Sequence, residues 1–268
     1  MSDAPLIEIR DATIFRGDTC VFDRFSLTIL QHEPVAILGP NGSGKTTLLK
    51  LINREIYPVQ RNGSSLRILG REQWNVWDLR SRIGIVSHDL QVRYDARATG
   101  LDVVLSGYQS SIGVHGALPG RITAAQRARA SSILENLGAG ELSRKQLASM
   151  STGQQRRCLL GRALVHDPDT LILDEPTAGL DLAAAFDYLD RIRRLSAAGK
   201  NIVLVCHSPA EIPPQIQRIV LLRAGRIMAD GAKDRVLTEH NLYQAYGVGV
   251  RIALVDGYYF AYPAVPDG

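Results

Sequence analysis

The chain has 268 residues, 45% hydrophobic and 22% charged, which is an ordinary composition for a globular protein and excludes a mainly disordered or collagen-like chain. Three cysteines without a Cys-x-x-Cys pair exclude a disulfide framework, and a formal net charge of +4 permits an anionic partner without requiring one. No apolar run approaches the ~20 residues of a membrane-spanning helix, and no basic start leads into an apolar segment, so we expect a cytoplasmic protein.

Short apolar or β-branched runs alternate with helical patterns, which predicts an α/β fold. The two N-terminal runs alternate apolar and polar residues, as in an antiparallel sheet with one polar face. Later runs are continuously apolar, as in parallel strands that are buried on both faces. The predicted strands are Leu6–Ile9, Phe25–Leu30, Val35–Leu38, Leu66–Leu69, Ile83–Val86, Leu171–Leu173, Ile202–Cys206 and Ile219–Leu222.

Two helices can be placed from their end signals. Thr123 can cap a helix that runs to about Leu137 and stops at Gly138. A second helix has an apolar stripe at spacings of four and three residues and stops at Gly199. The stripe consists of Leu182, Phe186, Leu189 and Ile192.

The pattern of elements predicts two regions. No convincing strand lies between 87 and 150, so residues 88–150 are interpreted as a helical subdomain inserted in an α/β core that spans 1–232. Residues 233–268 form a C-terminal extension after a glycine-turn hairpin at 223–226. Its aromatic residues can lie in a core or at an interface, and we expect core packing for Tyr258, Tyr259, Phe260 and Tyr262.

The strand Val35–Leu38 leads directly into the pattern G-x-x-x-x-G-K-[ST], and a helical segment follows. Glycines let several backbone N–H groups point inward, and the helix N-terminus adds partial positive charge. The lysine supplies a full charge for the β- and γ-phosphates, and the first threonine hydroxyl can ligate Mg²⁺. This predicts a nucleotide-phosphate site made of Gly39, Pro40, Asn41, Gly42, Ser43, Gly44, Lys45, Thr46 and Thr47.

Two further strands end in residues that suit phosphoryl transfer. Leu171–Leu173 ends in Asp174, which can hold the Mg²⁺ shell, and Glu175, which can orient and deprotonate an attacking water. Ile202–Cys206 delivers His207 to the strand ends, where ligands of open α/β sheets bind. A lone histidine is more often structural, but after a buried strand in a chain with a phosphate loop we favour a γ-phosphate contact.

Taken together, these motifs resemble those of ABC-type ATPases, the nucleotide-binding cassettes of ABC transporters. The resemblance covers residues 6–232 and rests on elements in the family's order: 39–47, 151–155, 171–176, 179–181 and His207. It implies a P-loop NTPase core with a mostly parallel sheet, an N-terminal antiparallel β subdomain and an inserted α-helical subdomain. It also implies ATP hydrolysis with Mg²⁺ by two copies packed head to tail.

The resemblance assigns further roles. Ser151, Gly153 and Gln154 match the signature segment, which faces the γ-phosphate held by the second subunit, while Ser151 with Gln154 also fits a simple helix capping box. Asp181 is placed at the nucleotide site. Phe15 lies near the place where cassettes stack an aromatic ring on adenine, and a core phenylalanine is the alternative.

The chain departs from the family pattern at two positions. Thr152 replaces the usual glycine of the signature segment and can crowd the approach of the second subunit, which would slow hydrolysis or shift the dimer equilibrium. His88 holds the position of a glutamine that touches Mg²⁺ or the attacking water, and Gln91 is the alternative equivalent.

Segments 102–108 and 237–242 resemble those of metal-chelate importers and molybdate-transport-associated cassettes. The leading hypothesis is an ATP-hydrolysing importer subunit that docks on transmembrane permease subunits at the inner face of the membrane. The alternative is a soluble ABC ATPase that acts on nucleic acid, the ribosome or another cytosolic target. Glu175 argues against a binding-only switch. We interpret the arginine clusters as solvated helix faces and expect no nucleic-acid partner; they are Arg156, Arg157, Arg191, Arg193 and Arg194.

Overall fold

The computed structural model describes residues 4–111 and 122–264. The chain divides into two compact units, which are described separately. The first unit comprises Met1–Val76 and Asn201–Gly268, and the second comprises Trp77–Lys200. Among the described residues, no helix combines the length and the apolar character that crossing a bilayer requires.

An antiparallel sheet opens the first unit. Its strands are β1 (Pro5–Arg16), β2 (Thr19–Leu30) and β4 (Ser65–Ile68), with β1 in the middle. The prediction of an antiparallel N-terminal pair is therefore confirmed, but β1 and β2 are longer than predicted. Register shifts interrupt the pairing of β1 with β2, and Asp11 and Arg24 have positive φ angles of 47° and 52°. These irregularities break the alternation by which strands are recognised in a sequence.

A second set of strands in the first unit is built on continuously apolar runs. The strands are β3 (Val35–Leu38), β7 (Asn201–Cys206), β8 (Arg218–Arg223) and β9 (Arg226–Ala232). β3 pairs in parallel with β7 and with β8, whereas β9 returns antiparallel to β8 through the predicted hairpin turn. All residues of β3 and β7 are buried, as the absence of alternation predicts. Leu38 and Cys206 are register partners, so their strands end at the same sheet edge.

The helices of the first unit are α1 (Lys45–Ile52), α8 (Lys233–Val236) and α9 (Glu239–Tyr246). The chain then forms an antiparallel hairpin of β10 (Val250–Val255) and β11 (Tyr258–Pro263). The expected core packing of its aromatic residues is wrong for Phe260 and Tyr262, which are 42% and 51% exposed. Among the described residues, these two strands pair with each other and with no further strand, and their outer aromatic rings stay at the surface.

The second unit contains the parallel strand pair β5 (Ile83–Val86) and β6 (Thr170–Asp174). Its helices are α2 (Val76–Arg82), α3 (His88–Val92), α4 (Gly100–Ser106), α5 (Ala124–Asn136), α6 (Thr152–Leu164) and α7 (Leu182–Ala197). The described residues between 88 and 150 are helical or irregular, as predicted, apart from one isolated bridge between Thr99 and Gln146. Thr123 caps α5 with a capping box, which confirms that helix start.

Candidate functional site

The loop between β3 and α1 has the backbone shape that the glycine pattern predicts. Gly42 and Gly44 have φ angles of 77° and 108°, which side-chain-bearing residues rarely adopt. A Cβ on Gly39 would lie 2.4 Å from the carbonyl oxygen of Leu222, and one on Gly44 would lie 2.8 Å from the Phe22 ring. The pattern is therefore a packing requirement of the first unit as well as a phosphate-binding signal.

Lys45 is the first residue of α1 and is only 5% exposed. Its ammonium group donates to the carbonyl oxygens of Gly39 at 2.8 Å and Pro40 at 3.1 Å, so the side chain folds back over the loop. The Ser43 carbonyl accepts from the Gly225 N–H at 2.9 Å, which ties the loop to the β8–β9 turn. The Lys45 ammonium group is thus held over the loop, as a binding site for an anionic ligand requires.

The remaining residues of this loop differ in exposure. Asn41 and Thr46 are exposed, whereas Ser43 and Thr47 are buried. The Thr46 side chain therefore lies at the surface of the first turn of α1, where a metal ion bound to phosphate oxygens can be reached. Pro40 is half-buried.

Phe15 lies in β1 and is 47% exposed. This excludes the alternative of a core phenylalanine. An exposed aromatic face in the first unit is compatible with stacking on a base, and that role stays a prediction.

β7 brings His207 to the same sheet edge as the phosphate loop. Cys206 pairs with Leu38, so His207 and Gly39 are each the next residue on neighbouring parallel strands. The imidazole is 47% exposed, and its Nε2 lies 3.6 Å from the buried carboxylate of Glu211. The structure therefore brings the predicted histidine to the strand ends beside the phosphate loop, within the first unit.

In the second unit, β6 ends at Asp174, and residues 175–178 form a tight turn, here called the carboxylate loop. Glu175 has a φ of 44°, an uncommon value for a residue with a side chain, and its carbonyl accepts from the Ala178 N–H at 3.1 Å. Asp174 and Glu175 are both half-buried. A residue with a side chain in the left-handed region must be held there by its surroundings.

Arg156 provides that support, and sequence reasoning missed it. The interpretation of Arg156 as part of a solvated face is wrong, because the residue is 3% exposed. Its guanidinium donates to the carbonyl oxygens of Glu175 at 2.5 Å and Ala178 at 2.6 Å. One buried cation therefore spans both ends of the carboxylate loop from helix α6. A basic residue at the fifth place after the capping serine, on the inner face of α6, was the available signal.

The other four arginines that were interpreted as solvated helix faces make local contacts. Arg157 donates to the Gly138 carbonyl at 2.7 Å. Arg191 pairs with Asp187 at 3.0 Å, and Arg193 and Arg194 both pair with Asp190. These contacts satisfy the charges on helix α7 locally.

The signature segment forms the predicted capping box at the start of α6. The Ser151 hydroxyl accepts from the Gln154 N–H at 3.3 Å, and the Gln154 side chain accepts from the Ser151 N–H at 3.2 Å. Lys145 also donates to Gln154, at 3.0 Å. A Cβ on Gly153 would lie 3.1 Å from the Ala184 Cβ, so this glycine lets α6 approach α7 closely. Thr152, the departure from the family pattern, is the first residue of α6.

Asp181 caps helix α7, since its carboxylate accepts from the Ala184 N–H at 2.8 Å. The helix prediction is confirmed up to Gly199, whose φ is 89°. The apolar stripe, however, is exposed at Leu182 and Phe186 and buried only at Leu189 and Ile192.

The position that corresponds to the family's glutamine, His88, is the first residue of α3. Ser87 caps this helix by accepting a hydrogen bond from the Leu90 N–H. The side chain of His88 lies outside the described residues. The alternative residue, Gln91, donates through Nε2 to Gln155 of α6 at 2.8 Å. Gln155 in turn donates to the Leu147 carbonyl at 2.9 Å, so Gln91 is linked to the signature helix.

Residues 22–178 match the family described as ABC transporter. The chain is 35% identical over 241 residues to the zinc transport system ATP-binding protein TroB of Treponema pallidum, covering 90% of this chain and 86% of that protein. It is 32% identical over 256 residues to a putative ABC transporter ATP-binding protein of Streptococcus mutans, covering 94% and 95%.

A solved structure described as an inward-facing conformation of a putative metal-chelate type ABC transporter has the same fold. Its TM-score is 0.77 at 21% identity, and the alignment covers 98% of each chain. The predicted fold class, a P-loop NTPase core with an antiparallel β region and inserted helices, is confirmed. The chain belongs to the ABC transporter family as an ATP-binding cassette, a class of ATP hydrolase.

Proposed function

We propose that this cassette is the ATP-hydrolysing subunit of an importer and that it works on transmembrane permease subunits at the inner face of the cell membrane. The observation that best supports this proposal is the loop between β3 and α1. Its buried Lys45 lies over backbone that is shaped by glycines, and His207 follows the neighbouring parallel strand. The importer assignment is supported by relatives such as the zinc transport system protein of Treponema pallidum.

The proposed chemistry assigns one task to each side chain. The loop amides of 39–44 and the Lys45 ammonium bind the β- and γ-phosphates of ATP. Thr46 and Asp174 would hold Mg²⁺, whose chemistry is to neutralise charge on the phosphate oxygens. Glu175 orients the attacking water and accepts its proton, and His207 contacts the γ-phosphate.

The proposal includes a homodimer in which each copy completes the site of the other. Ser151, Gly153 and Gln154 present the capped N-terminus of α6, where partial positive charge favours the γ-phosphate of the second copy. Asp181 contributes at the same contact, and Phe15 stacks on adenine. His88 is assigned to the water or metal end of the site. In this proposal, residues 1–232 form the cassette, which includes the helical subdomain 88–150, and residues 233–268 form an extension.

A co-purification experiment tests the importer assignment. The tagged chain is isolated from gently solubilised membranes of its own host, and its companions are identified by mass spectrometry and confirmed by tagging them in turn. We expect a hydrophobic subunit with several membrane spans in stable stoichiometry. Recovery of cytosolic partners alone would instead support a soluble ABC ATPase, the candidate that the departures at His88 and Thr152 favour.

A further inference from the structure

The C-terminal extension contacts both ends of residues 207–214, here called the histidine loop. At its start, the Tyr246 hydroxyl donates to the main-chain carbonyl of His207 at 2.8 Å. Further along, the Lys233 ammonium donates to the carbonyls of Ile212 at 3.1 Å and Pro213 at 3.2 Å. Both contacts are made to backbone, so they restrain the path of the loop from which the imidazole projects.

Tyr246 is presented from a helix that is itself well fixed. Thr238 caps α9 by accepting from the Asn241 N–H at 3.1 Å, and the helix ends at Gly247, whose φ is 74°. The buried side chains of Leu242 and Ala245 pack this helix onto the first unit. A hydroxyl on such a helix has little freedom, so the position of its acceptor is restrained in turn.

The hydroxyl also keeps its proton. Burial, together with the nearby Cys206 thiol and the Glu211 carboxylate, raises the pKa of Tyr246 well above its usual range. Tyr246 therefore remains a hydrogen-bond donor to the His207 carbonyl at neutral pH.

Lys233 joins the far end of the loop to the terminal hairpin. Besides its two bonds to the loop, its ammonium group donates to the Gly257 carbonyl at 3.3 Å and lies 5.5 Å from the centre of the Tyr259 ring. A Cβ on Gly257 would lie 3.0 Å from Pro214, so the hairpin turn packs directly on the loop. Both ends of the histidine loop are thus braced by residues after 232.

We propose that Tyr246 is a positioning residue for His207: its hydroxyl fixes the His207 carbonyl and thereby aims the imidazole for its part in ATP hydrolysis. This inference rests on the proposed role of His207. Glu211, 3.6 Å from Nε2, competes for the imidazole when the main chain is loose. The hydrogen bond from Tyr246 keeps the imidazole directed to the strand ends beside the phosphate loop.

The test uses the full chain and the substitution Tyr246→Phe, which removes the hydroxyl and keeps the ring. The loss of one hydrogen bond predicts a fall in kcat of about fivefold to tenfold, with KM for ATP unchanged within about twofold. The matched control is Tyr243→Phe on the same helix, where the side chain is 54% exposed; kcat should stay at the wild-type value.

His207→Ala and the double variant separate this inference from the proposed function. If Tyr246 acts through His207, then Tyr246→Phe has no further effect on kcat in the His207→Ala background. An equal slowing by Tyr246→Phe in both backgrounds, or wild-type kcat in the single variant, would overturn the positioning role alone. Full activity of His207→Ala would overturn the proposed role of His207 and this inference together.

Discussion

The carboxylate loop and the histidine loop are held in the same way but with different strength. Each follows a buried strand, and each is restrained through main-chain carbonyls by side chains from a distant part of its own unit. For the carboxylate loop, the donor is one buried cation, Arg156, that makes two short bonds. For the histidine loop, the donors are the neutral hydroxyl of Tyr246 and, further along, Lys233. The comparison predicts that disturbing the carboxylate loop is the more damaging change.

The largest effect is expected for the carboxylate itself. Glu175→Gln keeps the size of the side chain and removes the base, so ATP turnover should fall about 100-fold or more while ATP binding persists. We also expect the variant to form a more persistent ATP-bound dimer, measured by size-exclusion chromatography with and without ATP. Unchanged turnover would remove Glu175 from the mechanism.

The second largest effect is expected when Arg156, which restrains the carboxylate loop, is replaced. Arg156→Gln loses two charge-assisted bonds to a loop with a left-handed residue, which should lower kcat about tenfold to thirtyfold and the unfolding free energy by about 2–4 kcal/mol. The measurements are steady-state turnover and denaturant unfolding.

Arg157→Gln is the matched control, because it removes the same charge from the next residue of α6 and a bond to Gly138 only. Its kcat should stay within about twofold of wild type, since it does not touch the carboxylate loop. An equal loss of kcat in the two variants would mean that the change in net charge, rather than the loss of the Arg156 bonds to the carboxylate loop, explains the result.

These predictions show where sequence reasoning succeeds. The backbone shape of the loop between β3 and α1 was predictable, because the glycine positions and the preceding apolar strand reflect local geometry around Gly39 and Gly44. The cap at Ser151 was predictable for the same reason. Lys45 folding back onto Gly39 and Pro40 was not, because that contact depends on side-chain placement.

The braces depend on long-range contacts, which a linear pattern does not encode. Arg156 resembles any surface arginine in sequence, and only tertiary packing buries it under Glu175. Tyr246 lies 39 positions from His207. The hairpin after Gly247 was missed because its strands alternate little. Its aromatic residues were misjudged because the sequence does not show which side of this two-stranded ribbon packs on the rest of the first unit.

The smallest effect concerns Lys233 at the far end of the histidine loop. Burial lowers its pKa to about 8, from 10.5 in an exposed lysine. Between these values the unfolded chain binds a proton that the folded chain does not, so the unfolding free energy gains about 1–3 kcal/mol as the pH rises from 8 to 10.5.

The gain is measured as the difference between wild type and Lys233→Met in denaturant unfolding at several pH values. Subtracting the variant cancels the titration of all other groups that behave alike in both proteins. A difference that is constant between pH 7.5 and 10.5 would show that Lys233 titrates as an exposed lysine.

The proposed roles of the carboxylate loop and the histidine loop both require that ATP binds to the phosphate loop. Calorimetry with Mg²⁺ and ATP on Lys45→Ala tests this binding most directly. Lys50→Ala on the same helix is the control, and melting without nucleotide checks that each variant is folded. The account predicts that Lys45→Ala binds ATP about 100-fold more weakly or not at all, whereas Lys50→Ala binds as wild type does. Equal dissociation constants for wild type and a folded Lys45→Ala would contradict it.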